Sequence, residues 1–222
     1  MLTNTIKSSA IRVLATLALA AVPGFASPIF VSNFSFEDGP FGTATPCPSG
    51  PTCSNYFGAI PSWTSSSVDT STFGRLVPGT DLTKYLSGNP SDGPTQAFSI
   101  GATLSQVVSP TVTLGDMYVL RVDLGNRLDK GFTGSADLLI NGKTYAATGS
   151  VPAEGTFSTW TATYVGLAAD VGQSITIELK ANGPQGNFDN VHLDIVPEPA
   201  SLLLIGSALF VLGTLKRRRW NA

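Results

Sequence analysis

The chain has 222 residues, 42% of them hydrophobic and only 13% charged, with one His, two Cys and a formal net charge of −2. Residues 27–196 alone hold seven Lys/Arg against fourteen Asp/Glu, a net charge of −7, and scattered bases in an acidic body exclude nucleic-acid binding, which needs clustered positive charge. One His and no Gly-x-Ser-x-Gly turn almost exclude triad chemistry, and no Gly loop leads a strand into a helix to cradle phosphate.

At the N-terminus Lys7 and Arg12 precede an apolar run over 13–22, then Pro23, Gly24 and the small residue Ala26. That order predicts a secretion signal over 1–26, cleaved after Ala26, because about ten apolar residues fall well short of the roughly 20 of a spanning helix. The body over 27–196 is long enough for one domain with a real core. Its first half, with long loops over 41–56 and 62–93, carries Cys47 and Cys53 in Pro-Cys-Pro-Ser-Gly-Pro-Thr-Cys. Export exposes this pair to oxidation, so a disulfide closing a small loop is expected, worth about 2 kcal/mol by chain entropy. Zinc fails for lack of a third Cys or further His.

The second half alternates. Tyr118, Leu120, Val122 and Leu124 interleave with Val119, Arg121 and Asp123; Ile175, Ile177 and Leu179 with Thr176, Glu178 and Lys180; Val191, Leu193 and Ile195 with His192 and Asp194. Each run predicts a half-buried strand, with further strands over 102–108 and 158–165. Asn141-Gly142 between two apolar runs predicts a two-residue hairpin turn, since it supplies both positive φ values of type I′. No interior stretch holds a 3.6-residue period, so regular short strands with turn signals argue for an all-β sandwich.

At the C-terminus Pro197-Glu198-Pro199 leads into the uncharged run 200–215 and then Lys216, Arg217, Arg218 and Arg219. At about 1.5 Å per residue the run reaches about 24 Å, a short but viable transmembrane helix with its basic end in the cytoplasm. The prolines keep the preceding segment extended and accessible. These three features in this order resemble the PEP-CTERM sorting signal of Gram-negative bacteria, over 197–222. The resemblance implies export, transient anchoring in the inner membrane through 200–215, cutting near Pro-Glu-Pro by an exosortase, and release to the cell surface or extracellular matrix; signal peptidase would act at the other end.

Within the body, Asn33-Phe-Ser-Phe-Glu37, Ile60-Pro-Ser-Trp63 and Phe188-Asp-Asn-Val-His-Leu193 resemble the jelly-roll, galactose-binding-like domains of carbohydrate-binding modules. That likeness implies a jelly-roll β-sandwich flanked by the signal helix and the transmembrane helix, and it places the matching carboxylates, Glu37 and Asp189, as candidate ligands of a structural calcium. Hydrogen bonding of both to loop amides is the equal alternative; no cofactor is required. A sugar platform needs aromatic faces and planar polar groups; the candidates are Trp63, Tyr85 and Trp160 with Arg121, Asp123 and Asn126, against the alternative that Trp63 and Trp160 are core. The expectation is a non-catalytic surface or matrix protein binding exopolysaccharide, with a purely structural matrix or biofilm protein second. A secreted glycan-active enzyme ranks last, since no pair of carboxylates stands out.

Overall fold

A computed structural model describes residues 25–47, 53–78 and 90–197. Residues 1–24 of the signal segment, Tyr85, Glu198, Pro199, the run 200–215 and Lys216 to Arg219 lie outside the described residues. Among the described residues no helix is long and apolar enough to cross a membrane.

The strands, in chain order, are β1 (Ser27–Ile29), β2 (Thr45–Pro46), β3 (Ser54–Phe57), β4 (Thr64–Ser65), β5 (Phe73–Val77), β6 (Gln96–Ser99), β7 (Thr103–Val108), β8 (Met117–Asn126), β9 (Gly134–Ile140), β10 (Lys143–Ala146), β11 (Thr156–Val165), β12 (Ile175–Ala181) and β13 (Gly186–Val196). They form two antiparallel sheets. Sheet A runs β11-β8-β13-β6-β5-β3-β2, with β1 also on β13; sheet B runs β10-β9-β12-β7-β4. The only helical pieces described are 3₁₀ turns at Thr70–Thr72 and Ala168–Asp170. The fold is therefore the expected all-β jelly-roll sandwich.

The alternation read along the chain is the alternation of burial. Tyr118, Leu120, Val122 and Leu124 face Leu138, Ile140, Ile177 and Leu179 across the sandwich, all fully shielded from solvent. Asn141 and Gly142 take φ 49° and 72° between β9 and β10, the two-residue turn whose twist matches the flanking strands.

The first half is held by polar side chains that no periodicity announces. Asn33 takes the left-handed φ of 50°, accepts Asp38 N–H on Oδ1 and donates Nδ2 to the Pro61 carbonyl, both at 2.9 Å. Its own carbonyl accepts Trp63 Nε1, so the Asn-x-x-Phe-Glu and Pro-Ser-Trp segments form one knot. Arg75, 2% exposed, donates to the carbonyls of Phe36, Asp38 and Pro40 and stacks over the Phe41 ring at 4.0 Å. Burial pushes its guanidinium down from the ordinary value, yet the loop carbonyls give it the partners that a buried charge requires.

Candidate functional site

The outer face of sheet A, turned away from the main core, carries the site. Cross-strand pairing sets Phe157 opposite Gly125, Gly125 opposite Asn187, Asn187 opposite Phe98, Phe98 opposite Gly74, and Gly74 opposite Phe57. Period-two alternation keeps Gln96 on the same face as Phe98, and Asp123 and Asp189 on the same face as Gly125 and Asn187. Aromatic rings thus alternate with glycine floor and amides across five neighbouring strand pairs. Gly125 is required by close approach: a Cβ there would meet Phe157 Cε1 at 2.8 Å and Asn187 Cβ at 3.2 Å.

The disulfide joins Cys47 and Cys53, and both cysteines pack with Leu76 and Phe98 in a second apolar cluster on this face. The disulfide expected from the sequence is therefore formed, and its two cysteines cover part of the row. Asn187 and Gln96 are fully shielded and Phe98 is 2% exposed, whereas Phe57 at the far end is 43% exposed.

Two features mark the centre of the row as chemically loaded. Both amide atoms of Gln96 and Nδ2 of Asn187 are buried without a hydrogen-bond partner, a rare and costly arrangement in a folded interior. Beside them Asp189 sits at a β-bulge, where the register of β13 on β8 shifts between Asp189 and His192 and Asn190 takes φ 50°. The extra residue turns Asp189 and Asn190 outward together. Burial pushes the Asp189 carboxyl up to about 7, against the lowering effect of Asp92 N–H and Asn190 N–H at 2.9 and 2.8 Å and of the Ser91 hydroxyl; nearby Asp92 adds to the rise. Asp123, paired with Asp189 across β8 and β13, accepts Thr159 Oγ1 at 2.5 Å and Asn190 Nδ2 at 2.9 Å. The Asn190 Oδ1 faces His192 Nε2 at 2.6 Å.

Glu37 accepts the Thr95 amide and hydroxyl on its two oxygens, at 2.7 and 2.8 Å. Glu37 and Asp189 therefore grip opposite ends of the loop before β6, and all four of their oxygens receive protons. Among the described residues no three His, Cys, Asp or Glu side chains converge as a metal group. Both carboxylates thus hold loop amides and hydroxyls, as one of the two readings weighed for this pair expects.

The other expected site residues are dispersed. Trp63 is 7% exposed and packs against Phe36, so it is core. Trp160 is half-buried against Phe132, its indole N–H on the Ser150 carbonyl. Arg121 pairs with Asp194, and Asn126 is buried with Nδ2 on the Pro152 carbonyl. Of the polar residues proposed for sugar, only Asp123 belongs to the row. Gln96, Phe98, Asn187 and Phe157 went unread. Gln185, Asn187 and Asp189 at alternate positions were a visible signal of one polar strand face, but their partners on β6, β8 and β11 depend on a register that the sequence does not state.

Residues 27–194 match the HpiC1 cyclase family, and residues 196–219 match the PEP-CTERM protein-sorting motif. No curated protein matches the chain. Among solved structures, a cyclase from Fischerella sp. TAU is 22% identical, covering 78% of this chain and 99% of its own, at a TM-score of 0.59. A Fischerella sp. TAU cyclase in complex with 4-(1H-indol-3-yl)butan-2-one is 20% identical over 78% and 98%, at 0.60. The carbohydrate-binding module TmCBM61, in complex with beta-1,4-galactotriose, is 15% identical over 75% and 98%, at 0.45. The cyclase matches overturn the expectation of a non-catalytic body. That expectation rested on the absence of triads and paired carboxylates from the sequence, whereas burial of a single carboxyl is a property of the fold.

Proposed function

The chain belongs to the HpiC1 cyclase-like family, and on that premise we propose that its body is an exported enzyme that closes rings in small, unsaturated aromatic molecules by proton transfer from Asp189. The observation that carries this reading is the Asp189 carboxyl itself: fully buried, pushed up to about 7, and set in the bulge beside unpartnered amides. A carboxyl poised near the working pH suits a general acid. Its Oδ2 already receives two donors and Oδ1 one, so the transferable proton sits on Oδ1.

In the proposed step that proton passes to an unsaturated carbon of the substrate, a new carbon–carbon bond forms at the cation so created, and a neighbouring proton leaves to Asp123. Substrate and product are isomers. Return of the proton from Asp123 to Asp189 through water admitted once the product has left closes the cycle, with no cofactor required. Phe98 and Phe157 supply faces for an aromatic body and for the passing cation, and the dry setting limits capture of the cation by water. An indole-bearing ketone in the Fischerella structure supports an aromatic substrate class.

Polysaccharide binding draws less support, because Trp63 is core and Trp160 lies on the opposite face of β11 from Phe157, packed on Phe132. Delivery follows the sorting motif: an exosortase acts near Pro197 after signal peptidase has removed 1–26, and the body reaches the cell surface or matrix.

The test uses the full-length chain with a 3-alkenylindole in D₂O, followed by mass spectrometry. The expected product is a ring-closed isomer carrying one deuterium at the protonated carbon, with a rate at least about 100-fold lower in Asp189→Asn. Product formed equally by wild type and Asp189→Asn would remove Asp189 from the chemistry, and absence of any isomer with the wild type would sink the reading.

A further inference from the structure

The polarity of the row is set from outside it. Arg127 follows β8 two residues beyond Gly125, bridges Gly131 and is 5% exposed. Its Nε and Nη2 donate to the two oxygens of Asp129 at 2.8 Å, and its Nη1 donates to Gln185 Oε1. A guanidinium offers donors only. Gln185 must therefore turn its oxygen toward Arg127, which leaves Nε2 to donate to Asn187 Oδ1 at 3.0 Å. With Oδ1 occupied, Asn187 has one orientation left, and its Nδ2, fully buried and without a partner, is the atom presented to the row. The assignment of oxygen and nitrogen along this chain follows from the donor logic, starting at the one group whose polarity is beyond choice.

We infer that the row takes a molecule bearing a hydrogen-bond acceptor, such as a carbonyl, ether or unprotonated nitrogen, set against the Asn187 amide beside the Phe98 and Phe157 rings and receiving Asn187 Nδ2, with Arg127 and Gln185 as the positioning residues that impose this preference. The inference rests on the row being the ligand site. An unmade hydrogen bond at a buried donor is recovered when an acceptor arrives, while an apolar isostere leaves it unmade. Selectivity for the acceptor thus needs no charged residue at the site.

The measurement is an NMR titration of the full-length chain with two probes of one shape: 4-phenylbutan-2-one, and the alkene in which a methylene replaces its carbonyl oxygen. The wild type is expected to bind the ketone about tenfold more tightly than the alkene, which corresponds to one hydrogen bond to a buried donor. Gln185→Glu presents oxygens to both neighbours, so the Asn187 amide must turn over, donate to the new carboxylate and face the row with its own oxygen; the ketone preference should then vanish or invert. Asn187→Asp removes the donor directly and should abolish the preference by itself, independently of how well the first variant folds. Equal affinity of both probes for the wild type, or an unchanged preference in Gln185→Glu and Asn187→Asp, overturns the inference while leaving the row as a ligand site. Failure of both probes to perturb the Phe98 and Asn187 resonances overturns the site reading and this inference with it.

Discussion

At the scale of single residues, Asp189 couples function to stability. The unfolded chain releases its proton near the ordinary aspartate value of 3.8, whereas the folded body holds it up to about 7. Between those values the folded state binds the extra proton, so the linkage runs opposite to that of a salt-bridged aspartate: stability is full at low pH, declines as pH rises from about 4 to about 7, and levels off above. The loss should be on the order of 4 kcal/mol, as an upper bound from the size of the shift. Thermal denaturation between pH 4 and pH 8 is expected to trace this decline, and Asp189→Asn should flatten it. A pH-independent melting temperature would mean that the carboxyl is not desolvated. Asp189 was legible in the sequence as a residue of interest, through the Phe-Asp-Asn-Val run, but not its role. The motif left a cation ligand and a partner of loop amides equally open, and the placement of Asp92, Ser91 and Asn190 around its oxygens depends on a loop and a bulge that the sequence does not announce. Arg75 was not legible at all, since a buried guanidinium in a Gly-Arg-Leu strand looks identical to an exposed one until the Phe36, Asp38 and Pro40 carbonyls close on it.

At the scale of elements, what could be read was what local chemistry dictates. The Asn141-Gly142 hairpin and the alternating strands β8, β12 and β13 follow from turn φ values and a two-residue period. Strands β5 and β6 were missed because both their faces are buried, the inner against the sandwich and the outer beside Cys47 and Cys53; a strand wet on neither side shows no alternation. The bulge in β13 was equally invisible, as Asp-Asn-Val fits an unbroken strand. The disulfide gives this scale its prediction. Reducing the Cys47–Cys53 bond should lower stability by about 2 kcal/mol for so short a loop and uncover Leu76 and Phe98, read as a lower melting temperature with new binding of a hydrophobic dye. Unchanged dye binding after reduction would mean that the bonded cysteines do not shield Leu76 and Phe98.

At the scale of the whole molecule, the sorting motif at 196–219 and the cyclase-like body over 27–194 abut with almost no linker. The two matched segments therefore separate at Pro197, where the last strand, β13, has just ended at Val196. Deleting 197–222 should leave the fold intact and change the destination of the body, followed by fractionating cells and medium; unchanged timing, mass and location would contradict the sorting account. The central claim concerns the body, and one measurement reaches it without knowledge of the substrate: the ¹³C titration of the Asp189 carboxyl by NMR in the full-length chain, identified by its loss in Asp189→Asn. The account predicts a midpoint near 7, moving when an acceptor-bearing aromatic ligand fills the row. A midpoint near 4, unmoved by ligand, would contradict it.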